Sequence, residues 1–198
     1  MTRFLQKYRL YGTVFTFILS LTMVWNCFSL AHIHFGGNAL GIQQVQAEEE
    51  KIIAAFIWRF LEFIEFPVPQ ESCVVGFVGT SRVENFFSDI VKQKRVSNSQ
   101  VIEVRRITSL DDIARCQVVF VAQSENSRLT QILAKAKGKG ILTIGIDSDF
   151  LLRGGMMNFY IDNAKVRFEY NIEEISAGKL RCSSQLLRNG RQYSKAKE

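Results

Sequence analysis

The chain has 198 residues, 47% of them apolar, with 25 Lys and Arg against 19 Asp and Glu and a formal net charge of +6. That length suits one domain with a sizeable core, and the apolar fraction excludes a disordered chain. Arg3, Lys7 and Arg9 are the only charges in residues 1–47; without them 22 cations face 19 acids, a weak case for nucleic acid, whose binding normally needs clustered Lys and Arg on one face.

Residues 1–11 are cationic and 12–30 almost wholly apolar, the layout of an export signal. Small residues stand at two processing points, Ser29-Leu30-Ala31 and Val45-Gln46-Ala47, the second directly before Glu48-Glu49-Glu50. The chain is therefore read as a signal peptide, 1–47, and an exported periplasmic domain, 48–198. Because the apolar run approaches the roughly 20 residues that span a bilayer, an uncleaved anchor is the alternative.

Over residues 49–66, Ile53, Phe56, Ile57, Phe60, Leu61 and Ile64 recur at helical spacing, and Pro67 and Pro69 end the helix. Trp58 and the phenylalanines are read chiefly as core, with a partner-binding role open. Short runs then alternate: strands at 73–79, 101–107, 117–122 and 141–146, helices at 83–91 and 126–137, and a helical turn near 150–152. The first, third and fourth strands are continuous apolar runs, as strands buried on both faces are. Residues 156–171 read as an antiparallel hairpin. Met157, Phe159 and Ile161 form one apolar row, Val166, Phe168 and Tyr170 another, and Asp162-Asn163-Ala164-Lys165 supplies the turn. The fold class predicted is α/β: a single domain with a mixed, mostly parallel sheet, helices on both faces and a C-terminal antiparallel hairpin.

Reactive groups are scarce. The only histidines, His32 and His34, precede position 47, so the exported chain cannot build a Ser-His or Cys-His dyad or a histidine zinc site. Gly76-Phe77-Val78-Gly79 lacks the third glycine of a phosphate-binding loop. No enzyme, metal or cofactor is expected. A ligand would meet the carboxyl ends of the parallel strands, where Thr80, Ser124 and Asp147 stand. They are the candidates of an alternative function, a periplasmic small-ligand-binding protein. Helix capping is the plainer reading, with Ser81-Arg82-Val83-Glu84 spaced as a capping box.

The core Lys165-Val166-Arg167-Phe168-Glu169, the following Asn171-Ile172 and the run Ser183-Ser184-Gln185-Leu186-Leu187 resemble the C-terminal signature of the YfiR-like family of bacterial periplasmic regulators. Residues 51–67, ending in Phe66-Pro67, resemble that family's opening helix, with Phe66 where tryptophan is usual. The resemblance covers residues 48–190 and implies a signalling protein without catalysis of its own. In the best-known member the domain binds and represses the periplasmic sensor domain of an inner-membrane diguanylate cyclase, until an OmpA-like outer-membrane lipoprotein titrates it away. Other members look suited to sensor kinases.

Cys73 opens the first strand and Cys116 directly precedes the third. Strands so placed are commonly adjacent and parallel, so a Cys73–Cys116 disulfide is expected in an oxidising compartment, as the resemblance also implies; two buried free cysteines are the alternative. Cys182 is left unpaired, either buried or available for an intermolecular bond, and a homodimer stays open. The outer row of the hairpin, Asn158, Tyr160, Arg167, Glu169 and Asn171, has the mixed aromatic and charged composition of protein interfaces, and Tyr160, Arg167, Glu169 and Asn171 are the candidate partner-binding residues. A solvated strand face is the plain alternative.

Overall fold

The computed structural model describes residues 37–67, 72–94 and 101–194, so the export-signal reading of residues 1–36 lies outside the described residues. The chain divides into units 1–46 and 47–198, and everything below except the first turns of α1 belongs to the second. Helix α1, Gly37–Phe63, begins upstream of the expected start at 49 and ends before the expected 66, where strand pairing takes over. No Gly or Pro stands between Gly41 and Pro67, and Gln, Ala and Glu at 43–50 are tolerant of helix, so nothing interrupts it. Its spacing delivers Ile53, Ala54, Ile57, Trp58 and Phe60 to the interior. Strand β1, Ile64–Glu65, continues from it and pairs antiparallel with β8, Arg181–Cys182.

The main sheet is built from β2 (Ser72–Val78), β3 (Val101–Ile107), β4 (Val118–Val121), β5 (Leu142–Gly145), β6 (Met157–Asp162), β7 (Lys165–Tyr170) and β9 (Arg191–Gln192), in the order β3-β2-β4-β5-β6-β7-β9. Every neighbouring pair is parallel except β6 and β7. Helix α2, Val83–Gln93, follows β2, and α3, Leu129–Ala136, follows β4. The helix expected at 126–137 starts instead as a 3-10 turn, Gln123–Arg128, where Ser124 and Asn126 are side chains that compete for backbone hydrogen bonds. A second 3-10 turn, Leu110–Arg115, and the short helices α4, Ile172–Ala177, and α5, Ser184–Asn189, complete the described elements.

Strand alternation divides the core into two layers. Cys73, Val75 and Phe77 of β2 face α1, Phe87 of α2 and the hairpin's Phe159 and Phe168. Val74 and Val78 face the other way, onto Leu129, Ile132, Leu133 and Ala136 of α3. Helices therefore cover both faces, as expected of strands without a polar row. Phe60 ties α1 to the hairpin, stacked at 5.7 Å on Phe159 and edge-on at 5.1 Å to Phe168. The hairpin turns on Asn163 and Ala164, with φ 48° and 57°, and Asp162 and Lys165 close it as its last pair. That is the primed two-residue turn whose twist matches the strands.

Candidate partner-binding surface

The β6–β7 register sets Tyr160 opposite Arg167 and Asn158 opposite Glu169. Four expected partner-binding residues thus sit on or directly after the hairpin, but their environments differ. Arg167 is exposed and makes no ion pair among the described residues. Tyr160 is half-buried beneath Arg191, whose guanidinium lies 4.5 Å from its ring. Glu169 accepts from Arg191 Nη2 at 2.6 Å, and this bond holds the guanidinium pKa above its ordinary value. Asn171 caps α4, its Oδ1 accepting from the N–H groups of Glu173 and Glu174. The row is therefore not uniformly solvated: β9 folds Arg191 back over it. Asn158, 2% exposed, is buried within that row, and its Oδ1 has no hydrogen-bond partner among the described residues.

Beside β7 a groove of about 270 Å³ opens between α1, β7 and α5. Phe56, Phe63, Val166, Phe168 and Leu186 supply apolar walls, and Arg59 and Arg167 line it without any carboxylate. Arg59 stacks on Phe63 at 5.5 Å and reaches Glu62 only at 3.9 Å. Sequence reading gave Arg59 no site role and left a partner-binding role open for the phenylalanines without singling out Phe63, because a helical stripe of aromatics does not show which members lie at the rim of a sheet. Leu186 fell within the C-terminal run but carried no structural assignment, since α5 has only six residues.

The strand-end residues hydrogen-bond to one another or within their own turn. Thr80 and Ser124 come together, the Thr80 N–H donating to Ser124 Oγ at 3.0 Å. A Cβ on Gly79 would meet Ser124 Oγ and Glu125 Cγ at 2.6 Å, so the chain's own side chains fill the crevice at the point where strand order reverses. Asp147 stands apart in a turn, accepting from the Asp149 N–H at 3.0 Å. The expected capping box does not form: Arg82 is the N-cap residue of α2, Ser81 Oγ accepts from the Val83 N–H, and Glu84 bonds Arg106 instead. No group of His, Cys, Asp and Glu among the described residues could hold a metal ion. No helix among them is long and apolar enough to cross a membrane.

Cys73, Cys116 and Cys182 are free thiols in this structure, which does not form the expected Cys73–Cys116 bond. The expected strand pairing is present, since Val75 pairs with Val118 and the Gln117 N–H donates to the Val74 carbonyl at 3.0 Å. The thiols nevertheless enter different layers. Cys73 packs with α1, whereas Cys116, ending a 3-10 turn, is directed over Gly76 into the α3 layer. Burial pushes the Cys73 pKa up to about 12, with the neighbouring Cys116 adding to it. Burial likewise raises Cys116 to about 11, against the pull of Arg105.

Comparison with known proteins matches residues 50–191 to the model of the YfiR/HmsC-like family. No curated protein matches the chain. Among solved structures, the ABC domain from Streptococcus pneumonia in complex with L-Trp aligns at 10% identity and TM-score 0.41, over 61% of this chain and 54% of that one. A conserved domain protein from Vibrio cholerae O1 biovar El Tor aligns at 8% identity and TM-score 0.49, over 73% of this chain and 60% of that one. The chain thus spans little more than half of each, and likenesses this weak carry no argument about fold or function.

Proposed function

The chain belongs to the YfiR/HmsC-like family, and from that membership we propose that it is a periplasmic signalling regulator that binds and represses the periplasmic sensor domain of an inner-membrane diguanylate cyclase or related receptor. It acts by binding rather than catalysis, a reading supported by the absence of histidine from residues 48–198. An OmpA-like outer-membrane lipoprotein would compete for it. The observation that carries a protein partner is the rim of β7. Arg167 is exposed and uncompensated beside an apolar groove that aromatic side chains line, the combination from which interface hot spots are made.

The test is genetic and biochemical. Deleting the chain should raise the output of the receptor encoded beside it, read as cellular cyclic di-GMP for a cyclase. The purified chain should also retain that receptor's periplasmic domain on a column. Arg167→Glu should stay folded, since exposed substitutions usually cost under about 0.5 kcal/mol, yet lose retention and fail to restore repression. Unchanged output in the deletion strain would reject the reading.

A further inference from the structure

We propose that the open edge of β7 pairs with an extended segment of a partner protein, which lays an apolar side chain into the groove and acidic side chains toward Arg59 and Arg167. This deepens the partner-binding reading above and rests on it. The two-residue turn makes Asp162 and Lys165 the hydrogen-bonded closing pair of the hairpin, and bonded pairs alternate from there. Lys165, Arg167 and Glu169 therefore spend their backbone groups on β6, while the N–H and C=O of Val166 and Phe168 point to the other side. There β9 reaches only Glu169 and Tyr170, and the Tyr193 N–H donates to the Tyr170 carbonyl at 2.8 Å. The parallel Glu169–Arg191 bridge places the Arg191 N–H on the Phe168 carbonyl, and no described strand pairs with the N–H and C=O of Val166 or the N–H of Phe168.

An unpaired strand edge is a template for one more strand. The far edge of the sheet, β3, is blunted by the Glu103–Arg105 pair, whereas the β7 edge opens directly onto the groove. Charge selects the occupant. A second copy pairing edge to edge would gather Arg59 and Arg167 from both chains around a groove without a carboxylate, so an acidic segment from another protein fits and a copy of this chain does not.

The probe is a capped synthetic heptapeptide of alternating Asp and Val with a central Phe, set against its counterpart with Lys for Asp. Amide hydrogen exchange of the full chain is the readout. The acidic peptide should slow exchange at Val166 and Phe168 by at least about tenfold, the Lys peptide should not, and the Arg59→Glu, Arg167→Glu double variant should lose the effect. A version N-methylated at alternate residues should lose it as well, a result independent of any variant's folding. Binding that leaves both amides unprotected, or no binding at all, overturns the proposal. Protection already present in the free chain and rising with its concentration would assign the edge to a second copy and overturn it too. Edge pairing fails alone if receptor output still depends on the chain; if that dependence is missing, the functional reading fails first.

Discussion

Cys73 gives up no proton at ordinary pH because its thiolate would sit in the α1 layer without a partner. The unfolded thiol ionises from its ordinary 9.0, whereas the folded one holds its proton to about 12. Between those values the unfolded state binds fewer protons, so this contribution to stability is intact below pH 9 and is lost as pH rises toward 12, by at most about 1.4 kcal/mol per pH unit. The fall in urea midpoint from pH 8 to pH 10.5 should accordingly be larger for the native chain than for Cys73→Ala. Native Cys73 and Cys116 should resist alkylation and react once unfolded; recovery of a Cys73–Cys116 disulfide peptide would show that the thiols share a layer after all. Steric fit sets an equally local limit at Phe150, which is 1% exposed. A Cβ at Gly145 or at Gly155 would lie 2.2 Å from its ring. Gly145→Ala should therefore displace Phe150 and cost about 3 kcal/mol in a denaturant titration, the upper range of overpacking.

Within elements, the hairpin is both the best-read part of the chain and the one with a visible flaw. Alternation at Val166, Phe168 and Tyr170 places three apolar side chains in the core, and the turn lies where Asn163 stands. Ala164, however, has φ 57° with a Cβ, a conformation that costs an L-residue about 1–2 kcal/mol. Ala164→Gly should raise stability by roughly 0.5–1 kcal/mol, the strain relief less the entropy of glycine. Asn171→Ala should cost about 1 kcal/mol by uncapping α4, and both changes are readable in thermal melts. Long, strongly periodic segments such as α1, and continuous apolar runs such as β2 and β4, were legible because burial on a face leaves a period in the sequence. The elements that escaped are α4 and α5, of six residues each, the two-residue strands β1, β8 and β9, and the 3-10 turn Leu110–Arg115. Runs so short hold less than two helical turns, too few for a period, and tertiary contact rather than propensity keeps them. Those same pieces wall the groove with Leu186 and cover the hairpin with Arg191, so the site was less legible than the fold that carries it.

Across the whole molecule, the packed structure and the processing point expected from the sequence bear on one another through α1. The helix includes Ala47 and Glu48, and from Gln43 onward Gln43 to Gln46 are exposed and Ile53 is the first buried side chain. Glu50 makes the first tie to the rest of unit 47–198, its Oε2 accepting from Arg82 Nε at 2.7 Å and its Oε1 from Ser81 Oγ at 3.3 Å. Cleavage after Ala47 would leave Ile53 and both of those contacts in place. The exported chain should therefore begin at Glu48 by mass measurement, and a chain of residues 48–198 should melt in one cooperative transition. Shortening further to 54–198 deletes Glu50 and Ile53 together. Loss of a buried isoleucine alone costs about 2–5 kcal/mol, and at this domain size each kcal/mol lowers the melting midpoint by about 2–4 °C, so the 54–198 chain should melt at least about 4 °C below the 48–198 chain. Equal midpoints would show that the first turn after the cleavage point adds nothing to the fold, and a full-length protein held in the inner membrane would replace cleavage with the uncleaved anchor.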